Sequence, residues 1–246
     1  MTRTRLLISL LALAEILPAT TVVVLRTPKH AVLGVDGRST SVVNGRKRRA
    51  VACKAAAIDN VVYVVEGYVS FDIRSILETG GSPADPASAA RAHDLIRRAL
   101  TTALPGIRRN DPARWSQLTS GNTLFALYAA WANQESARVS ITQFSLTPDG
   151  RSVDSQTKQW DSVDPNAGMV FWDAVKRAPH PFPDDWPQND HVQTVKAVLT
   201  DLVATDPESG PPLTLIRVTP AGIDWLDRGA CEPDGSNAFR SEPARP

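Results

Sequence analysis

Hydrophobic positions in the first third of the chain are spaced as in strands. The run TTVVVLR at residues 20–26 is short and rich in β-branched residues, which is typical of a buried strand. The segment AVLGVDGRS, residues 31–39, predicts a second strand that forms a hairpin with the first. Residues 41–68 predict two more strands, with turns at Asn44-Gly45 and Asp59-Asn60. This part of the chain is therefore expected to be an antiparallel meander.

The remaining two thirds alternate between helical and strand-like spacing. Apolar residues recur at helical intervals in four segments, residues 87–104, 111–120, 166–178 and 191–206. Strands are expected at residues 123–134, 136–151 and 212–226. Strands separated from helices in this order predict an α+β fold. The arrangement we expect is a four-layer αββα sandwich, with two antiparallel sheets between helix layers.

The N-terminal residues have the pattern of an export signal. MTRTRLLISLLALAEILPA begins with two arginines, continues with an apolar stretch over residues 6–17, and ends in Pro18 and Ala19. We interpret residues 1–19 as a signal peptide or short propeptide. A cut after Ala14 and an N-terminal helix packed on the domain are the alternatives. Export predicts a periplasmic or extracellular protein with no stable membrane span after processing.

Length and charge narrow the class of protein. A chain of 246 residues that is 42% hydrophobic can bury one sizeable core, which we place at residues 20–228, with a flexible C-terminal tail at 229–246. There are 27 basic and 26 acidic residues, so no basic excess indicates nucleic-acid binding. The single basic run, residues 46–49, has no interleaved aromatic residues and is interpreted as a solvated turn.

Cysteine and histidine positions do not indicate a metal centre. Cys53 and Cys231 have no CxxC spacing, and the four histidines are scattered along the chain. An exported chain would allow the two cysteines to pair, and two buried free thiols fit the sequence equally well.

A threonine pair follows directly after the signal-like segment. The hydroxyl of a threonine inside a chain is a weak nucleophile, but a freed α-amino group on the same residue can act as its base. A cut after Ala19 would give Thr20 that amine. Asp36 lies 16 residues further along, beside a turn-forming glycine. Taken singly, these residues also fit an edge strand and an ordinary turn.

TTVVVLRTPKHAVLGVDGRST resembles the start of a mature catalytic β subunit of the proteasome and of its bacterial HslV relative. These proteins are N-terminal-nucleophile (Ntn) hydrolases of αββα fold. The resemblance implies that Thr20 is the nucleophile, that Asp36 is its aspartate, and that Lys54 in VACKAAAI is the partner lysine. It also implies that Gly67 in YVVEGYVS supplies the amide of an oxyanion hole. Asp161, Ser162, Asp164 and Ser120 are candidates for the supporting serine and aspartate of the family.

The implied activity is that of a threonine-type amidohydrolase or peptidase acting on a peptide or amide, with no cofactor. A homo-oligomer is a further expectation. Two alternatives stay open: a non-catalytic structural or binding subunit of the same fold, and an amidase for small acyl-amides. The chain departs from the family by carrying Ala19, where a glycine usually precedes the nucleophile.

Overall fold

The computed structural model describes residues 15–17, 20–43, 46–69, 71–120, 123–161, 169–173 and 190–243. Within these ranges the strands are β1 (Glu15–Leu17), β2 (Val22–Arg26), β3 (Ala31–Asp36), β4 (Arg38–Val43), β5 (Arg46–Ala52), β6 (Ala55–Ile58), β7 (Val61–Val69), β8 (Thr123–Ala132), β9 (Ala137–Leu146), β10 (Val153–Trp160), β11 (Met169–Asp173), β12 (Leu213–Thr219), β13 (Gly222–Asp227) and β14 (Ser241–Pro243). The helices are α1 (Ile73–Gly80), α2 (Pro86–Asn110), α3 (Pro112–Thr119) and α4 (His191–Thr205).

The described strands form three antiparallel sheets. The six-stranded sheet has the order β1-β7-β8-β9-β10, and β6 also pairs with β7. The five-stranded sheet has the order β11-β2-β3-β12-β13. The third sheet has the order β14-β5-β4. Together with the four helices, these sheets confirm the predicted mixed α+β class.

Strand β2 contributes to two separate hydrophobic clusters. Val22 and Val24 belong to the large cluster that contains most of the six-stranded sheet's buried residues. Val23 and Leu25 belong to a smaller cluster with the apolar face of α4. Successive side chains of a strand point to opposite faces, so a strand buried on both sides is apolar at every position. This explains why TTVVVLR shows no polar alternation.

The helices pack on different sheets. Helix α4 contacts β2, β3 and β12 of the five-stranded sheet, whereas α1, α2 and α3 contact β6, β10 and β9 of the six-stranded sheet. The side chains of Asp85, Asp111 and Asp190 accept backbone N–H groups in the first turns of α2, α3 and α4. Such N-caps satisfy donors that have no partner within the helix and thereby fix where each helix begins.

Three elements differ from the sequence prediction. The helix predicted at residues 166–178 is wrong at 169–173, where β11 pairs with β2. A short apolar run cannot be assigned by periodicity alone, and here the free edge of β2 decides the outcome. Helix α1 and strand β10 were not predicted. Helix α1 has only eight residues, and β10 is mostly polar and exposed, so neither shows a clear hydrophobic period.

The region of residues 41–68 contains more strands than predicted. It holds the end of β4, all of β5 and β6, and all but the last residue of β7, so Lys54 lies in the short connection between β5 and β6. The predicted turn at Asp59-Asn60 is confirmed between β6 and β7. The predicted turn at Asn44-Gly45 lies outside the described residues.

The C-terminal residues are attached to the domain. Cys53 and Cys231 form a disulfide, which decides between the two states left open by the sequence. Beyond it, β14 pairs with residues 50–52 of β5. The region predicted as a flexible tail thus makes defined contacts over residues 229–243.

Residues 15–17 of the signal-like segment form β1, which pairs with residues 67–69 of β7. Residues 1–14, 18 and 19 lie outside the described ranges. Among the described helices, none is both long and apolar enough to cross a bilayer.

Gly34 allows α4 to approach β3 closely. A Cβ atom at this position would lie 2.9 Å from Val195 Cγ1 and 3.0 Å from Leu199 Cδ2. We expect Gly34→Ala to lower the free energy of unfolding by about 1–3 kcal/mol, because the helix must shift to admit the methyl group. Urea denaturation measures the change.

Gly106 provides the matched control for this substitution. It lies in α2, where an added Cβ has no heavy atom within 4 Å. Gly106→Ala should therefore stabilise the protein by about 0.5–1 kcal/mol through helix propensity alone. A Gly34→Ala protein as stable as the Gly106→Ala protein would contradict the close packing of α4.

Candidate functional site

The carboxylate of Asp36, at the end of β3, is the centre of the site. Its Oδ1 accepts hydrogen bonds from Lys54 Nζ and from the Thr21 backbone N–H, both at 2.9 Å. Its Oδ2 accepts from the backbone N–H groups of Arg38 and Gly210, both at 3.1 Å. A buried carboxylate is stable only when it is paired and hydrogen-bonded, and these four donors meet that requirement.

Lys54 is buried as completely as its partner. The exposed fractions of the Lys54 and Asp36 side chains are 1% and 0%. Burial lowers the pKa of the Lys54 ammonium, while Asp36, Glu66 and Asp206 oppose this shift by favouring the charged form. The backbone carbonyl of Lys54 accepts the Val65 N–H at 3.0 Å, which fixes the connection between β5 and β6 against β7.

The hydroxyl of Thr21 belongs to a directed chain of hydrogen bonds. The Ser209 hydroxyl donates to Asp206 Oδ2 at 2.8 Å, and Thr21 Oγ1 lies 2.8 Å from Ser209 Oγ. Because the hydrogen of Ser209 is directed to the carboxylate, the Thr21 hydroxyl must donate to Ser209. The proton of Thr21 is therefore already engaged.

The hydroxyl of Thr20 is in a different situation. It is buried and has no hydrogen-bond partner among the described residues. It belongs to the residue directly before Thr21, whose N–H shares Asp36 Oδ1 with Lys54. Buried polar atoms without a partner are uncommon, and in a native protein they often mark a site of reaction or binding.

Gly67 lies on β7, at the edge where β1 pairs. Its φ of +94° belongs to the left-handed region, and a Cβ atom there would lie 2.4 Å from the carbonyl oxygen of Leu124. Only glycine fits this backbone. Leu17, three residues before Thr20, pairs directly with Gly67. The segment that leads to Thr20 therefore runs beside Gly67, whose role as an oxyanion donor remains a prediction.

The two sequence candidates for the supporting residues that the structure describes, Ser120 and Asp161, interact with other parts of the chain. The Ser120 hydroxyl donates to the Ser116 carbonyl at the end of α3. The Asp161 carboxylate acts on Arg26, at the opposite end of β2 from Thr20, where it opposes the lowering of the Arg26 pKa by burial. Ser162 and Asp164 lie outside the described residues.

Asp206 and Ser209 are the aspartate and serine that the structure brings to Thr21, and the sequence analysis missed them. They lie in DPESG, between α4 and β12. The available signal was topological, because β12 pairs with β3 and its start therefore lies beside Asp36. No group of three or more metal-ligating side chains occurs in the described part of the chain.

The two members of the ion pair should contribute unequally to stability. Asp36→Asn leaves the Lys54 ammonium buried without its counter-charge, and we expect it to lower the unfolding free energy by about 3–5 kcal/mol. Lys54→Met leaves Asp36 with three backbone donors. This variant should cost about 1–3 kcal/mol.

Urea denaturation of the two variants checks this order. A larger loss for Lys54→Met than for Asp36→Asn would show that the backbone donors do not stabilise the carboxylate.

Neither the known family models nor the curated proteins match this chain. The functional assignment therefore depends on the geometry around Thr20.

Proposed function

We propose that the chain is a proteasome-like threonine Ntn hydrolase, which cleaves peptide bonds once removal of residues 1–19 gives Thr20 a free amine. The observation that carries this proposal is the contrast between the two threonine hydroxyls. Thr21 is engaged with Ser209, whereas the buried Thr20 hydroxyl has no partner among the described residues, and the backbone N–H of the next residue donates to Asp36 of the ion pair.

Contacts between the layers support an αββα sandwich as the fold of this hydrolase. Helices α1, α2 and α3 contact the six-stranded sheet, and α4 contacts the five-stranded sheet. The two sheets contact each other through β12 with β8, and through β2 and β3 with β9. This order of contacts fits two sheets packed face to face between helix layers.

The reaction begins at the freed α-amino group of Thr20. In its neutral form this amine takes the hydroxyl proton, directly or through one water, while Oγ1 attacks the substrate carbonyl. The positive charge of Lys54 favours the developing alkoxide, and Asp36 holds the ammonium in place. Proximity is built in because the base and the nucleophile belong to one residue.

The tetrahedral intermediate then carries a negative oxygen, to which the Gly67 N–H can donate. One such donor contributes about 3 kcal/mol to the transition state. Collapse breaks the C–N bond, and the leaving amine takes the proton from the Thr20 ammonium. Water attacks the resulting ester while the α-amine takes one of its protons; when the ester C–O bond breaks, Oγ1 takes that proton from the ammonium and the acid leaves.

The pairing of β1 with β7 supports an extended peptide as the substrate. Residues 15–17 precede the bond to be cut and pair as a strand with residues 67–69. A substrate peptide can add to the same edge through main-chain hydrogen bonds once the leader has left. A small amide would not use this edge.

The disulfide supports export as the location of the activity. Disulfides form and persist in oxidising compartments, and Cys53 and Cys231 are joined in this chain. We therefore place the hydrolase in the periplasm or outside the cell.

Intact mass and N-terminal sequencing of protein made in an exporting host test the first requirement. We expect a mature chain that begins at Thr20. A chain that keeps residues before Thr20 has no free amine on this residue, and the non-catalytic structural or binding role then replaces the hydrolase.

Substitution of each threonine tests which hydroxyl reacts. Thr20→Ala should abolish both hydrolysis and labelling by a hydroxyl-directed β-lactone, with little change in thermal stability. Thr21→Ala should retain most of the activity, because this hydroxyl only donates to Ser209. Full hydrolysis by a correctly processed Thr20→Ala protein would refute the assignment.

The activity should rise with pH through about 7–8. An α-amino group titrates near 7.7–8.0, and only its neutral form can act as the base. The charge of Lys54 moves this midpoint downward. A rate of Thr20 labelling that falls over the same range would exclude the amine as base.

A further inference from the structure

The segment of residues 228–243, here called the C-terminal segment, crosses the chain at the residue before Lys54. The Cys53–Cys231 disulfide joins the two covalently. The Phe239 N–H donates to the Cys53 carbonyl at 2.8 Å, and Ala238 forms an isolated bridge with Cys53. Pairing of β14 with β5 continues this contact.

The backbone around Lys54 is held by three different parts of the chain. The Ala52 N–H donates to the Gly37 carbonyl at 2.7 Å, directly after Asp36. The Lys54 carbonyl accepts from Val65 at 3.0 Å, on β7. Between them, Cys53 is held by the C-terminal segment. The backbone just before Lys54 is thus held both by Gly37, the residue after Asp36, and by the C-terminal segment.

Two further contacts of the C-terminal segment do not reach Cys53. Thr214 Oγ1 donates to the Arg228 carbonyl at 3.1 Å, at the beginning of the segment. Asn237 bonds the Ala230 carbonyl and the Glu232 N–H, which closes a turn within the segment. Only the disulfide joins this turn covalently to the residue beside Lys54.

We propose that the Cys53–Cys231 disulfide is a positioning device for Lys54, which holds its ammonium against Asp36. Cys53 and Cys231 act through Lys54 and touch no substrate. The effect of the disulfide on activity rests on the proposed hydrolase function. Its effect on the position of Lys54 does not. An unoxidised chain holds Lys54 loosely, so hydrolytic activity develops only after oxidation.

Formation of the bond requires an oxidant. The oxidant is the disulfide of another molecule, which reacts by thiol–disulfide exchange. It accepts the two electrons and two protons that the cysteine thiols lose, and becomes two thiols. Both sulfurs are buried in the folded chain, with exposed fractions of 1% for Cys53 and 6% for Cys231. Exchange therefore needs an open C-terminal segment, which assigns oxidation to folding and not to a reversible step in the native protein.

The first experiment measures the exposure of Lys54 without reference to catalysis. The oxidised wild-type chain and the Cys53→Ser/Cys231→Ser variant are labelled with an amine-specific reagent, and Lys54 modification is followed by peptide mass. We expect at least tenfold faster modification of Lys54 in the variant. The exposed Lys29, Lys158 and Lys196 are internal references and should react equally in both proteins.

Asn237→Ala is the matched control. It removes the turn within the C-terminal segment but keeps both cysteines. Lys54 should stay protected in this variant. If the double serine variant does not fold, the wild-type chain folded in the presence of a phosphine, which keeps both thiols reduced, replaces it in the same comparison.

The second experiment follows β-lactone labelling of Thr20 against pH in the processed proteins, well below their melting temperatures. A purely structural disulfide would lower the melting temperature and leave the pH midpoint unchanged. Positioning of Lys54 predicts an upward shift of the midpoint in the variant, because a nearby cation no longer lowers the pKa of the amine.

The two measurements separate failure of this inference from failure of the hydrolase assignment. Equal Lys54 modification with and without the disulfide would overturn the positioning role. An unchanged pH midpoint with a reactive Thr20 would overturn it as well. A wild-type Thr20 that never reacts refutes the hydrolase, while Lys54 modification still decides the positioning role.

Discussion

The buried ion pair of Asp36 and Lys54 holds together parts of the chain that are far apart in sequence. The carboxylate accepts hydrogen bonds from Thr21 and Gly210, which precede β2 and β12, and from Arg38, the first residue of β4. Removing two charges from water costs several kcal/mol per ion, so the pair persists only because all of these donors converge. An apolar pair of similar volume could fill the space, but it would leave the backbone N–H groups of Thr21, Arg38 and Gly210 without this acceptor.

The strongly apolar elements and the first hairpin could be predicted from sequence. β2, β3, β8 and α4 carry clear patterns, because each buries apolar side chains against a partner. The resemblance of the sequence to the proteasome family pairs Asp36 with Lys54, and in the structure Lys54 Nζ lies 2.9 Å from Asp36 Oδ1. This pair could be predicted because its two residues lie close together in sequence, next to strands with clear apolar patterns.

Elements defined by distant partners could not be predicted in this way. The strand β11 exists because β2 has a free edge, and nothing within residues 169–173 distinguishes it from a helical run. Asp206 and Ser209 reach Thr21 only through the pairing of β12 with β3. Likewise, the sequence left the state of Cys53 and Cys231 open, because 178 residues separate them. Each of these features depends on tertiary contacts across the fold.

The strand β1 has a consequence for how the leader and a substrate would share the site. Because β1 is covalently linked to Thr20, it meets the edge of β7 at an effective concentration that does not depend on how dilute the protein is. Cleavage in cis would therefore proceed at the same rate at any protein concentration. Under the proposed hydrolase function, the peptide released by this cut would become an ordinary solute that dissociates on dilution. A single peptide bond would thus separate an occupant of the β7 edge that dilution cannot remove from one that it can.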